Sequence, residues 1–396
     1  MDYKLYNTIK EIEALGKSDI QVSQELYDLW RECFGDTKEY TDFYFSWKVK
    51  DNRIVSIYKQ ERLSSMLHLN PYEVKVCNKT VRLNYIVGVA TRPEDRRQGL
   101  MKLLLETILN QMYEEQMPFT YLMPAAEAIY LPFGFRIVYN QAPWKQRLLQ
   151  TGYKIGRDAD RNLADGSMKV IQVTDDNEEA IAVLTAFTGQ YLSQCYDIYA
   201  ERSPYYYRRL IQEMESGKGG VLLCMREEEP VGYISYMTDG GLGIAECIYQ
   251  PVQEELFFNT VASKILDEVM PKPEAAEQTA DHSTPSIMAR IVDFQAFTEN
   301  LTAREEFTLI VRVEDPIIKA NNGVYLLSFS EEGCKAARSQ KEPDLAGDIA
   351  QLTRLFFGRL SDMEMAGLCP SAGDTNILAK LGSINFYKRV FINDVV

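Results

Sequence analysis

Residues 84–112, NYIVGVATRPEDRRQGLMKLLLETILNQM, constrain the fold of this chain more than any other stretch. An apolar run rich in β-branched residues, 85–89, passes into a charged turn over 91–97. Beyond it Leu100, Leu104, Ile108 and Met112 recur at helical spacing, with Met101, Leu105 and Leu109 beside them. The pattern predicts strand, turn, helix. At the helix start stand Arg96, Arg97, Gln98 and Gly99. The first-turn N–H groups of a helix have no partner within it and carry the positive end of its dipole, so they offer an anion site. A glycine there admits a pyrophosphate where a Cβ would stand in the way, and the two arginines add charge. Spacing alone does not separate this motif from an ordinary solvated helix start.

A second motif follows. Residues 119–123 read as a short strand, and after Ala125 and Ala126 comes Tyr130-x-x-x-Gly134-Phe135. The pair of motifs resembles the acetyl-CoA site of the GNAT N-acetyltransferases. The resemblance implies that the turn from Arg96 through Gln98, Gly99 and Leu100 to Met101 and Lys102 holds the pyrophosphate of coenzyme A. It implies that the strand ending in Val89, Ala90 and Thr91 splays from the strand before Ala125 and Ala126, with the pantetheine in the gap. Tyr130 would then be the general acid that protonates the departing thiolate; the other reading of Tyr130 is a core tyrosine stacked on Phe133 and Phe135. Many members place Gly or Ala where this chain has Met101, and the Arg-Arg-x-Gly-Leu form is that of the Eis branch.

A single GNAT domain fills only about the first 140 residues. The remainder resembles the rest of an Eis-like chain, which sets the expected architecture: α/β (α+β), tandem GNAT domains with mixed central sheets flanked by helices, followed by a sterol-carrier-like α+β domain. The expected boundaries are 1–145 for the catalytic GNAT domain, 146–284 for a degenerate GNAT-like domain and 285–396 for the sterol-carrier-like domain. In the middle segment the element order repeats, but Gln250-Pro251-Val252-Gln253-Glu254-Glu255 puts acids where the arginines should be, so this copy is expected not to hold coenzyme A. Connections are expected at 158–166, which is polar, and at 271–285, which is bracketed by prolines.

Composition narrows the chemistry. The seven cysteines are odd in number and show no C-x-x-C pair, which argues against a disulfide framework or a zinc site and for buried, reduced thiols. Only two histidines, His68 and His282, are present, so a histidine-based triad or metal centre is not expected. The formal charge of −14 disfavours nucleic acid and anionic membrane as partners. Residues 141–285 hold most of the excess, with 13 Lys/Arg against 23 Asp/Glu, either as a solvated surface or as a field that attracts polycationic amines. Without a basic leader or a membrane-length apolar run, the chain is read as cytoplasmic.

The base must come from elsewhere. In Eis-like enzymes the terminal carboxylate enters the active site and takes a proton from the amine; here that group belongs to Val396, at the end of a largely apolar run, with Asp36 or a water relay as the alternatives. The resemblance also places Asp36 and Trp47 near the family's acceptor-contacting residues, although core packing explains the aromatics of 23–49 equally well. Gly88 stands next to a position where some relatives have an aromatic, which would leave a roomier pocket. The reading that follows is direct transfer from acetyl-CoA, without a metal, to primary amines of an aminoglycoside-, polyamine- or lysine-like acceptor by a homo-oligomeric enzyme. The alternative is a non-catalytic acyl-CoA- or lipid-binding regulatory protein.

Overall fold

The computed structural model describes residues 3–7, 11, 16–77, 79–157, 168–269, 285–369 and 375–393. The first unit contains strands β1 (Tyr3–Tyr6), β2 (Arg53–Lys59), β3 (Arg62–Val76), β4 (Lys79–Thr91), β5 (Phe119–Leu122) and β6 (Arg136–Asn140). Its helices are α1 (Asp19–Cys33), α2 (Lys38–Phe43), α3 (Leu100–Glu114) and the short α4 (Glu127–Tyr130). The predicted strand, turn and helix are β4, its turn and α3. Side chains alternate across a strand, so the two faces of the sheet build two cores. Val55, Ile57, Leu67 and Leu69 pack with Leu104, Ile108 and Met112 of α3. Ile54, Tyr58, Met66 and Ala90 pack with Val22, Leu26 and Trp30 of α1, which starts from a Ser18–Gln21 capping box.

After α5 (Trp144–Arg157), the second unit runs β7 (Met168–Val173), α6 (Glu178–Cys195), β8 (Ile198–Ala200), α7 (Pro204–Ser216), β9 (Gly220–Arg226), β10 (Glu229–Met237), β11 (Gly243–Tyr249) and α8 (Glu254–Val269). Its antiparallel sheet has the order β11-β10-β9-β7. The third unit contributes β12 (Ser286–Ile291), β13 (Phe307–Glu314), β14 (Gly323–Phe329), β15 (Cys334–Ser339), β16 (Leu345–Asp348), α9 (Ile349–Phe356) and β17 (Val390–Phe391). Four of these strands make a sheet in the order β15-β14-β13-β16.

The units interlock through the first sheet. β8 pairs with the far end of β3, and β17 pairs in parallel with β8. β12, which the sequence places at the head of the third domain, is instead hydrogen-bonded between β5 and β6, antiparallel to both. Its Ile287, Met288, Ala289 and Ile291 are all buried, as suits a strand covered on both faces. Such a run carries no mark of which sheet it will join. Both expected connections fall largely outside the described residues.

Candidate active site

β4 pairs with β3 along its length, but with β5 only at Tyr85 opposite Tyr121. Past that point the two parallel strands part. A bulge helps to turn β4 away: His68 opposes Val87 while Met66 opposes Ala90, and Gly88 takes φ +61°. A Cβ on Gly88 would lie 2.6 Å from Trp30 Cζ3 and 3.3 Å from His68 Cγ. The indole of Trp30 fills the space beside Gly88.

The strand end is held by side chains. Ser65 Oγ donates to the Ala90 carbonyl at 2.7 Å and lies 2.7 Å from Thr91 Oγ1; Arg96 Nε donates to the Thr91 carbonyl at 3.1 Å. Val89 is half-buried against the core. The turn is then anchored by buried Asp95, which takes Lys59 Nζ at 2.7 Å and Arg62 Nη2 at 2.9 Å. Burial alone pushes the Asp95 carboxyl up, but hydrogen bonds from Lys59 and Ser64 and the charges of Lys59 and Arg62 outweigh it and hold the group below the usual carboxylate range. Lys59 Nζ also donates to Gln98 Oε1 at 2.9 Å.

Arg97 and Gly99 both adopt left-handed backbone, φ +62° and +81°, and bring the chain into α3 with Gly99 as its N-cap. The first helical bond runs from Leu103 N–H to the Gly99 carbonyl at 3.0 Å, so the N–H groups of Leu100, Met101 and Lys102 precede it. Nothing lies within 4 Å of a Cβ built on Gly99. An open concavity of backbone donors, with exposed Arg96 and Arg97 at its rim, fits a pyrophosphate. Met101 turns half into the core and Lys102 is exposed.

Across the gap, exposed Ala125 and Ala126 lead from β5 into α4, whose last residue is Tyr130. The Tyr130 ring is buried and meets Phe135 edge-on at 6.1 Å. Burial pushes its phenol up to about 12, and among the described residues its hydroxyl makes no hydrogen bond. The ring packs as a core tyrosine while the hydroxyl keeps its proton at neutral pH.

Asp36 and Trp47 end in different surroundings. Asp36 Oδ2 accepts the Trp30 indole N–H at 2.8 Å, and Arg31 donates to its backbone carbonyl. It therefore touches the bulge only through Trp30. Trp47 lies in a π-helical turn, Tyr44–Lys48, half-buried with the Lys50 ammonium 5.6 Å from its ring centroid. The same turn sends in two residues not expected from sequence: Tyr44, whose hydroxyl takes Asn52 Nδ2 at 3.0 Å and lies 3.2 Å from His68 Nδ1, and Lys48, paired with Glu213 at 2.9 Å. Wide turns of this kind often occur at functional sites. Lys48, Tyr72, Arg209, Glu213, Glu246 and Asn393 surround a cavity of about 20 Å³. It shares Tyr72, Tyr206 and Arg209 with an open groove of about 710 Å³ that carries Asp51, Glu73 and Glu201. Tyr72 in turn lies 6.3 Å from Tyr85 and 6.4 Å from Tyr121, at the point where β4 and β5 part. These residues come from several distant segments, and Lys48, directly after the aromatic run of 40–47, is the one local sign.

Val396 lies outside the described residues. The chain that leads to it is seated at the same cavity: Asn393 is buried, takes Gln141 Nε2 at 3.1 Å and donates to the Ala245 carbonyl. Of the cysteines, Cys224, Cys247, Cys334 and Cys369 are buried, whereas Cys77 is exposed. No helix among the described residues is long and apolar enough to cross a membrane.

Parallel strands that part beside a glycine turn at a helix start define a GNAT fold. Comparison with known families agrees: an Acetyltransferase (GNAT) domain matches residues 12–138, and a Sterol carrier protein domain matches 294–384. Solved structures of similar fold include a probable N-acyltransferase of unknown function from Enterococcus faecalis V583, 17% identical with a TM-score of 0.71. A GCN5-related N-acetyltransferase from Anabaena variabilis is 17% identical with a TM-score of 0.69, and Eis1 from Mycobacterium abscessus is 16% identical with 0.64. Each comparison covers 100% of both chains. Among curated proteins none matches. The chain thus carries a GNAT acetyltransferase domain with a sterol carrier protein domain behind it, which supports an acetyltransferase, and along its whole length it shares its fold with Eis1. GNAT domains use acetyl-CoA as co-substrate.

Proposed function

We propose that this chain moves an acetyl group from acetyl-CoA directly to a primary amine bound in the groove beside Tyr72 and Arg209. The observation that carries the reading is the parting of β4 from β5 next to the Arg97–Gly99 turn. The residues fit the co-substrate: the N–H groups at Gly99, Leu100, Met101 and Lys102, with Arg96, Arg97 and Gln98 around them, would hold the pyrophosphate. Val89, Ala90 and Thr91 would line one side of the pantetheine, with Ala125 and Ala126 opposite. When bound, acetyl-CoA supplies an acyl carbon whose thioester is activated toward amines.

Tyr130 keeps its phenolic proton for the sulfur that departs as the new nitrogen–carbon bond forms. No residue becomes covalently acylated. For the base we assign the Val396 carboxylate: three residues beyond Asn393 span up to about 10 Å, enough to cross the small cavity. The acids at the groove mouth, Asp51, Glu73 and Glu201, suit an acceptor with several ammonium groups, such as an aminoglycoside, a polyamine or a lysine side chain. The enzyme would act in the cytoplasm as a homo-oligomer.

Release of free CoA thiol with a panel of such amines tests this, run on the full chain and on one lacking Val395 and Val396. Amine-dependent release that collapses on truncation, while acetyl-CoA still binds, is expected. A chain that binds acetyl-CoA and releases thiol with no amine in the panel would overturn the acceptor assignment. Failure to bind acetyl-CoA would overturn the reading of the Arg97–Gly99 turn.

A further inference from the structure

Arg290, on β12 opposite Thr120 of β5, is fully buried although nothing in the proposed chemistry uses it. Its guanidinium donates in three directions: Nε to the Phe133 carbonyl at 2.7 Å, Nη1 to the Ile291 carbonyl at 2.9 Å and Nη2 to Asp315 Oδ1 at 2.7 Å. Phe133 closes the 3-10 turn Leu131–Phe133 that directly follows Tyr130, and Gly134, at φ +82°, sends the chain back into β6. A Cβ on Gly134 would stand 3.1 Å from Arg290 Nε and 3.1 Å from Ile349 Cγ2 of α9. The turn that carries Tyr130 thus rests on Arg290 and on the helix of the third unit.

Asp315, just beyond β13, is itself fixed. Its Oδ1 accepts the N–H groups of Ile317 and Ile318 at 2.9 and 3.0 Å, and its Oδ2 takes Asn321 Nδ2 at 2.9 Å. Asn321 also donates to the Val292 carbonyl at 2.7 Å and accepts the Phe294 N–H at 3.1 Å. An unbroken line of hydrogen bonds therefore runs from the sterol-carrier domain to the carbonyl three residues after Tyr130. Stability does not account for it, since apolar residues of similar volume commonly replace a buried ion pair without loss. What the pair adds is direction, because a planar guanidinium fixes the positions of all its acceptors at once.

We propose that Arg290, locked by Asp315, is a positioning residue for Tyr130: the sterol-carrier domain sets where the tyrosine hydroxyl meets the departing sulfur. The proposal rests on the reading of Tyr130 as general acid. It gives the third unit a role in catalysis that needs no ligand of its own.

The test uses the full chain. Arg290→Lys keeps the charge but cannot reach Asp315 and Phe133 together; Asp315→Asn keeps the shape and weakens the lock. Expected for Arg290→Lys is a fall of about tenfold in kcat with KM for acetyl-CoA within about twofold, the pattern of an interaction made only in the transition state. In Tyr130→Phe the further change Arg290→Lys should add nothing, because both act on one proton transfer. With 3-fluorotyrosine incorporated, the ¹⁹F resonance missing from Tyr130→Phe reports Tyr130. It should move in Arg290→Lys and, less, in Asp315→Asn, while the resonances of Tyr207 and Tyr233 in the second unit stay in place. Losses that multiply in the double variant, or a Tyr130 resonance that does not move, overturn the proposal. If Arg290→Lys does not fold, Asp315→Asn carries the same readouts. A Tyr130→Phe enzyme as fast as its parent sinks the general-acid reading instead, and the moved resonance still decides whether Arg290 holds the turn.

Discussion

The two GNAT-like units begin alike and part at one loop. β4 and β11 each run through a bulge, at Gly88 and Ala245, into a 3-10 turn that opens on proline, Pro93–Asp95 and Pro251–Gln253. In the first unit Arg96, Arg97, Gln98 and Gly99 then intervene before α3; in the second Glu254 starts α8 at once. The second turn thus lacks the left-handed residues that open backbone donors to an anion. Its first helical turn carries Glu254 and Glu255, which the helix dipole favours and a phosphate does not. The open side of β11 is also closed: Gln141 Nε2 donates to the Ile244 and Ala245 carbonyls at 3.4 and 3.1 Å, and Asn393 to Ala245. A few residues separate an open turn from a closed one.

The contrast is sharpest at Tyr130, because among the described residues the second unit has no counterpart to it. The strand after α8, β12, leaves to join the first sheet. If Tyr130 is the general acid proposed above, all proton delivery to the sulfur rests on one phenol. Tyr130→Phe should lower kcat about 100-fold with KM for acetyl-CoA little changed. Steady-state kinetics that find less than a threefold loss would leave the tyrosine as packing against Phe135.

Gly99→Asn comes next. Asparagine tolerates left-handed backbone, and no protein atom lies within 4 Å of the new Cβ, so the fold should persist. The side chain would instead occupy the concavity. Calorimetry should show acetyl-CoA binding weakened about tenfold, or 1.4 kcal/mol. The matched change in the other turn, Val252→Asn, should leave binding as it was. Equal effects from both would mean that the Arg97–Gly99 turn is not the phosphate site.

How much of this the sequence showed depends on range. The β4–α3 unit was legible because its signals are local: β-branched residues, charged turn and helical spacing sit within one stretch, and Gly99 marks the turn itself. The Tyr130-x-x-x-Gly134 spacing likewise marks a local turn, the 3-10 turn that ends at Gly134. The small cavity was not legible, since Lys48, Tyr72, Arg209 and Asn393 meet only after the units fold together. Nor was the destination of β12, because an apolar strand specifies a buried slot and leaves the choice of sheet to partners far away in sequence. Nor does the sequence show that the indole of Trp30 lies against Gly88, since the two are brought together by the sheet.

Both units bury polar groups, and the second also leaves one, the Tyr233 hydroxyl, without a partner among the described residues. In the second, Glu246 holds Arg202 through Nε at 3.1 Å and through Nη2. In the first, Ser56 Oγ, His68 Nε2, Asn70 Nδ2 and the Tyr40 hydroxyl are buried without a partner among the described residues. Burial pulls the His68 imidazole down from 6.5 to about 3. Between those values the unfolded chain holds a proton that the folded chain refuses, so stability should rise with pH through the window and fall as pH drops toward 3. The slope approaches about 1.4 kcal/mol per pH unit, a tenfold change in the folded-to-unfolded ratio. His68→Gln, compared with the parent by urea unfolding between pH 4 and 7, should remove that slope. An unchanged slope would place the acid sensitivity elsewhere.

The smallest expected effect concerns charge alone. Arg97 is exposed at the rim of the concavity, where water and salt screen it, so its contribution should be modest beside that of the backbone donors. Arg97→Ala should weaken acetyl-CoA binding by about three- to fivefold at low salt, as expected for one charge-assisted contact. The loss should shrink as ionic strength rises. Glu254→Arg tests the converse. It restores a positive charge at the second turn while leaving the loop short and the edge of β11 closed by Gln141 and Asn393. If charge sufficed to make a phosphate site, this variant would bind a second equivalent of coenzyme A. If the site is made by the left-handed turn and the open strand edge, titration should still saturate at one. The number of equivalents bound therefore separates the electrostatic difference between the two units from the geometric one.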